Sequence, residues 1–263
     1  MGFLLLAICG SVQATDLNFP VNPGERKMVT TSRWADEQYD IYLPTTYSAT
    51  SNPLPLMLTL SPSGGGLVSA FKAVAEEKKV IVVGLLDSKN NRPYPEIYPN
   101  NSAVLRDVME RVNYDPSALY TAGFSGGAVA AYDFTKFYRP HVTGVFAMGG
   151  WLGNRHAAYD RYRSGLLVAR ANGDSDTGAN YYMNVDASHL NSFGVVISDY
   201  SFSGGHQLAP NSTKRIVFDW LLPRSLSLGL VPPTILICRD YLLRPDTRWR
   251  WLDLVFLRLM ERC

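Results

Sequence analysis

Cysteine is nearly missing from this 263-residue chain: Cys9 stands near the start, and Cys238 and Cys263 near the far end. The long stretch between them needs no disulfide and offers no thiolate to a metal. An excess of one charge is missing too, since 25 Lys and Arg face 23 Asp and Glu, a net +2. The last 38 residues hold six arginines and four acids, so the remainder is balanced. Phosphate binding needs a clustered basic face, which excludes a nucleic-acid partner. No apolar run is long enough for an integral membrane span: residues 3–9 are too few, and "LVPPTILICRDYLL" (230–243) is short and broken by charge. Internal repeats, P-loop and dinucleotide glycine patterns and metal-ligating clusters are all wanting, so no cofactor and no metal are expected. What is present is an ordinary globular profile, 46% hydrophobic and 18% charged, enough for a sizeable core.

Short apolar runs alternate with helix-like stretches. Strands are expected over 39–44, 54–60, 80–86, 118–124, 142–148, 166–172 and 194–200, and helices over 67–79, 103–112, 126–137, 178–191 and 212–222. Each crossover is long enough to return the chain parallel, which predicts an α/β fold: a mostly parallel, doubly wound sheet with helices on both faces and no separate lid domain. The first fourteen residues, "MGFLLLAICGSVQA", read as a signal peptide, with small residues around Val12-Gln13-Ala14 at the spacing a signal peptidase cuts, although a basic n-region is missing. Secreted or periplasmic localisation follows. "LAIC" resembles a lipoprotein box, but bulky Ile8 before Cys9 argues against lipidation. Residues 15–225 form the predicted domain. Residues 226–263, with arginine but no lysine and the cluster "RWRW", break from its composition and are expected to lie outside it, as an extension without structure or an amphipathic interfacial helix.

The densest signal is "AGFSGG" (122–127), three glycines around one serine, placed between a predicted strand and a predicted helix. Gly123, Ser125 and Gly127 spell G-x-S-x-G. That spacing suits a sharp strand-to-helix turn that lifts the Ser125 hydroxyl above the sheet and puts the Gly126 amide at the helix start. A serine hydroxyl is a poor nucleophile without a base, and the base needs an acid to fix its tautomer. Four histidines are available. His141 starts a strand, at the wrong end for a site; His156 follows a Trp-bearing loop; and His189 sits within a helix. His206, in "SFSGGHQLAP", follows the last strand at the carboxyl edge where open α/β sheets place their sites. The acid should fall between serine and histidine, and "ANGDSDTG" supplies Asp174 and Asp176.

These residues resemble the α/β-hydrolase superfamily, and within it the secreted esterases grouped with feruloyl esterases and polyhydroxybutyrate depolymerases, over about residues 35–222. "AGFSGGA" resembles the family's nucleophile elbow, "NGDSDTG" its G-x-x-D acid turn and "SGGHQ" its glycine-rich His loop. The resemblance implies a triad of Ser125, Asp176 and His206, with Asp174 as a turn-capping neighbour. It also implies an oxyanion hole made by the Gly126 amide and a second donor after the strand at 54–60. There the family carries His-Gly and this chain reads "SPSGGG", so Ser63 and Gly64 both stand as candidates.

Two polar, aromatic segments, "DSKNNRPYPEIYPN" (87–100) and "GGWLGNRH" (149–156), are read as loops whose Tyr94, Tyr98 and Trp151 line the substrate cleft. The expectation is therefore an exported serine hydrolase of carboxylic esters, acting on a small-molecule or polymer-linked ester. The alternatives are a peptidase or acyltransferase on the same triad, or a silent carbohydrate-binding or surface protein with the same fold.

Overall fold

The computed structural model describes residues 18–33, 37–92, 94–139, 141–153 and 161–227, all within one compact unit. The expected signal peptide (residues 1–14), nearly all of the Arg/Trp-rich tail, the three cysteines and His156 lie outside the described residues.

Among the described residues, eight strands and five helices follow one another as β1 (Arg26–Thr30), β2 (Gln38–Tyr42), β3 (Leu54–Leu60), α1 (Val68–Lys78), β4 (Ile81–Leu85), α2 (Tyr94–Arg111), β5 (Tyr114–Phe124), α3 (Gly126–Phe137), β6 (Val142–Met148), β7 (Leu167–Gly173), α4 (Thr177–Asn191), β8 (Val196–Phe202) and α5 (Asn211–Ser227). They build one sheet in the order β1-β2-β4-β3-β5-β6-β7-β8. β2 runs antiparallel to both neighbours, and every pair from β4 through β8 is parallel.

The period-2 alternation of the strands divides the core between two faces. Leu56, Leu58 and Leu60 of β3, Ile81, Val83 and Leu85 of β4 and Val145 of β6 face one layer, with Val104, Leu105 and Val108 of α2, Ala131 and Phe134 of α3 and Leu190 of α4. Met57, Val82, Tyr120, Phe146 and Ala169 face the other, with Phe71 and Val74 of α1 and Val217 and Phe218 of α5. Because parallel central strands are covered on both sides, they read as continuous apolar runs; β4 and β6 are buried at every position.

Two expectations change. β1 is an additional strand, an edge strand with only Val29 buried, so it has no apolar alternation to announce it. The segment 87–100 is only half a loop, because α2 begins at Tyr94, nine residues before the predicted start. Pro95 stands in the first turn, whose N–H groups have no helical acceptor anyway, and Pro99 forfeits one internal hydrogen bond.

Candidate active site

The loops after β3, β4, β5, β6, β7 and β8 all leave the carboxyl ends of parallel strands and meet along one edge of the sheet. At the end of β5 the chain passes from Phe124 into α3 through a single residue. Ser125 holds φ 54° and ψ −125°, a strained conformation for a residue with a side chain. Its N–H donates to Met148 O at 2.9 Å, which ties the turn to the end of β6. The flanking glycines have a steric reason. A Cβ on Gly123 would lie 2.0 Å from Gly127 O, and one on Gly127 would lie 2.3 Å from Leu60 O. The strand, the turn and the first turn of α3 touch backbone to backbone, and no larger residue fits.

β7 ends at Gly173, and Asp176 caps α4, Oδ1 accepting the Ala179 N–H at 3.2 Å. Its other oxygen, Oδ2, lies 2.8 Å from His206 Nδ1, and His206 Nε2 lies 2.9 Å from Ser125 Oγ. Asp176 is 6% exposed, whereas the His206 side chain is about half exposed. With Asp176 ionised, Nδ1–H donates to the carboxylate and bare Nε2 accepts the Ser125 hydroxyl proton. The Phe124 ring packs on the imidazole with centroids 4.9 Å apart.

Asp174 bonds within its own turn and reaches beyond it. Its Oδ1 accepts the Gly204 N–H at 3.1 Å and the Ser175 hydroxyl at 3.0 Å, and Ser175 N–H returns a bond to Gly204 O at 2.9 Å. The acid turn and the His206 loop are therefore laced together two residues before the histidine. The Gly204 N–H, with help from Ser175, holds the Asp174 carboxyl below its ordinary range.

In the loop after β3, Gly64 N–H donates to Ser61 O at 3.3 Å and Gly65 N–H to Leu86 O at 3.2 Å. The Ser63 N–H has only a long contact to Ser61 Oγ, at 3.4 Å. The Gly126 amide opens α3, where no residue one turn earlier can accept from it.

The aromatic candidates divide. Trp151 follows Gly149, and a Cβ on Gly149 would lie 3.3 Å from both Asp176 Oδ2 and His206 Cε1, so this excursion runs beside the Ser-His-Asp chain. The Trp151 indole stacks on Tyr182 of α4 at 5.0 Å. Tyr98 instead stacks on Tyr138 at 5.6 Å, meets Phe137 at a tilt at 5.1 Å, and packs against the core. Tyr94 opens α2, and its side chain lies outside the described residues. His141 precedes β6 and His189 lies near the end of α4, so neither is at this edge. Sequence reasoning missed Tyr182 and Asn90. Tyr182 belongs to "NYYMN", where Tyr181 takes the exposed side of α4 and Tyr182 is half-buried against Trp151; Asn90 has no periodic or motif signal. Among the described residues no helix is long and apolar enough to cross a membrane, and no group of three or more His, Cys, Asp or Glu side chains could hold a metal.

The strand order, the antiparallel β2 and the serine, aspartate and histidine after β5, β7 and β8 define the α/β-hydrolase fold. Neither a protein-family model nor a curated protein matches the sequence. Solved structures do match in fold. Est1E from Butyrivibrio proteoclasticus is 11% identical with a TM-score of 0.57, the match covering 77% of this chain and 99% of that one. FphF, a fluorophosphonate-binding serine hydrolase of Staphylococcus aureus, is 13% identical with a TM-score of 0.58, over 76% of this chain and 99% of its own. The esterase Est2 of Thermogutta terrifontis, solved with propionate bound, is 13% identical with a TM-score of 0.58, over 80% and 97%.

Proposed function

We propose that this protein is a serine hydrolase that cleaves carboxylic esters through an acyl-enzyme. The observation that carries the reading is the continuous chain from Asp176 through His206 to Ser125, with links of 2.8 and 2.9 Å. In the first half-reaction Ser125 Oγ attacks the ester carbonyl carbon while His206 Nε2 takes its proton. The carbonyl π pair moves to oxygen, then returns as the bond to the alcohol breaks, and His206 hands its proton to the leaving oxygen. Water repeats the sequence on the acyl-enzyme. Asp176 keeps Nδ1 protonated and stabilises the imidazolium, and the Gly126 amide faces the developing oxyanion. Ser63 N–H is the freer of the two candidate second donors, since Gly64 N–H is engaged with Ser61 O. Each such donor contributes about 3–4 kcal/mol to the transition state.

Trp151, two residues beyond the glycine that packs on Asp176 and His206 and stacked on Tyr182, is our candidate for the aromatic wall that receives the acyl or alcohol part. The esterases and the fluorophosphonate-binding hydrolase among the fold neighbours support ester chemistry. Export through residues 1–14 and a polymer-linked ester substrate belong to the same reading, as does a tail from 226 onward that stands outside the catalytic domain. A fluorophosphonate probe and a panel of p-nitrophenyl and feruloylated sugar esters test it. We expect labelling and turnover in the parent and neither in Ser125→Ala at unchanged melting temperature. Labelling retained in Ser125→Ala would falsify the triad, and turnover confined to amides or acyl acceptors other than water would replace esterase with peptidase or acyltransferase.

A further inference from the structure

The loop after β4 reaches into the site, and the Ser-His-Asp chain makes no use of it. Its backbone is tied to the loop after β3: Asn90 N–H donates to Pro62 O at 2.8 Å, and Ser63 and Lys89 form an isolated antiparallel bridge. Asn91, at φ 63°, turns the chain away again. Asn90 is exposed, and its carboxamide lies on Gly126. A Cβ at position 126 would stand 1.7 Å from Asn90 Oδ1 and 3.1 Å from Nδ2. The Asn90 carboxamide therefore occupies the space a side chain at position 126 would take, and a larger residue there would displace it.

This carboxamide lies against the residue whose amide opens α3, and of the three successive main-chain donors on the loop opposite, Ser63, Gly64 and Gly65, two are already engaged. Gly64 and Gly65 N–H groups are turned to Ser61 O and Leu86 O, and "SPSGGG" stands where the resemblance leads one to expect His-Gly. We propose, resting on the serine-hydrolase reading, that Asn90 is a catalytic residue whose side-chain N–H donates to the oxyanion beside the Gly126 amide. The terminal torsion of asparagine is broad and roughly two-fold, so a turn about it brings Nδ2 toward the oxygen without moving the backbone. When Ser125 attacks, the carbonyl pair shifts to oxygen and the Asn90 N–H bond shortens onto that charge. When the pair returns and the alcohol leaves, the bond relaxes. A neutral side-chain amide serves such a site well, since it donates without adding a proton to be moved.

The test compares Asn90→Ala, Asn90→Asp, Gly126→Ala and the Asn90→Ala/Gly126→Ala double variant, with Ser125→Ala as control, in the full chain. For Asn90→Ala we expect kcat on p-nitrophenyl acetate to fall about 10²-fold or more. KM should stay within about threefold, and a trifluoromethyl ketone, which mimics the tetrahedral adduct, should bind more weakly by the factor lost in kcat/KM. Asn90→Asp, equal in size but without the donor, should be as slow. Gly126→Ala pushes the carboxamide aside and should also be slow, and the double variant no slower than the worse single one. Melting temperature should hold in the Asn90 variants, whose N–H bond to Pro62 persists. Asn90→Ala keeping kcat within about threefold, or losses that multiply in the double variant, would overturn the assignment. Ester turnover by Ser125→Ala would instead remove the serine-hydrolase reading beneath it.

Discussion

Asp176 uses its two carboxylate oxygens for two tasks, and a pair of variants separates them. Oδ1 caps α4 through the Ala179 N–H, while Oδ2 faces His206 Nδ1 at 2.8 Å. In Asp176→Asn the amide oxygen can keep the cap, which leaves the new NH2 group against Nδ1. Two donors cannot share that contact, so the imidazole proton moves to Nε2, and Nε2 then points a hydrogen at Ser125 Oγ instead of accepting one. The base is in the wrong tautomer, and the imidazolium has lost its counter-charge. In a related triad the same change costs about 10⁴-fold in kcat with geometry intact, which is about 5.5 kcal/mol at 1.36 kcal/mol per decade. We therefore expect Asp176→Asn to lose at least about three decades in kcat on an activated p-nitrophenyl ester, with a melting temperature near the parent's. Asp176→Ala should be equally slow and also less stable by about 1 kcal/mol, because the cap is gone. Initial rates and thermal melts of the two proteins decide the matter. Asp176→Asn within tenfold of the parent would refute the reasoning.

Asp174→Asn keeps an oxygen for the Gly204 N–H, so kcat should stay within about tenfold and the melt should drop slightly; a loss larger than that of Asp176→Asn would move the acid to Asp174. Asp107, fully buried, accepts the N–H and hydroxyl of Ser32, the Tyr39 hydroxyl and Arg111, and so ties the start of the sheet to α2. Asp107→Ala should cost about 3–5 kcal/mol in urea titrations, and a change under about 1 kcal/mol would show that the cluster contributes little. Burial lowers the pKa of His141 from its ordinary 6.5, so the folded chain holds it neutral while the unfolded chain binds a proton more readily. Its contribution is complete above that ordinary value and is lost as pH falls through the folded pKa. Melting temperature should fall between about pH 7 and pH 5, and His141→Gln should flatten that slope; parallel curves would rule the histidine out.

How much could be read in advance depended on whether a residue's neighbours were close in sequence. The central parallel strands were legible because both faces are covered, which leaves unbroken apolar runs such as "VTGVFAM" in β6. The turn at Ser125 was legible because the contacts that demand glycine, Gly123 against Gly127, are four residues apart. β1 hid because an exposed edge strand needs little apolar pattern, and α2 hid behind prolines that its first turns tolerate. β8 begins two residues late because Gly194, at φ 73°, still belongs to the turn leaving α4. Asn90 could not be found at all. Its contact with Gly126 exists only once two loops from different strands meet, and no spacing in "SKNNRP" encodes that meeting.

The same distinction bears on where this site can tolerate change. Ser125 is held in a conformation costing about 1–3 kcal/mol, and its supports are local: its N–H on Met148 O, its carbonyl receiving the Ala128 N–H, and the backbone contacts of Gly123 and Gly127. Ser125 is therefore held by the backbone of the sheet itself. His206 sits on an exposed loop past the end of β8, with the Phe124 ring packed on its imidazole. Its position is borrowed from the acid turn, through the Asp174 and Ser175 bonds to Gly204 and the Asp176 contact with its ring. The acid turn and the His206 loop are thus joined to each other by more hydrogen bonds than join either to Ser125. Loosening the acid turn changes the distance from Nε2 to Oγ, while the contact between Asp176 and His206 can survive. On the serine-hydrolase reading, that geometry makes proton transfer from Ser125, rather than the orientation of the imidazole by Asp176, the step most exposed to distant substitutions.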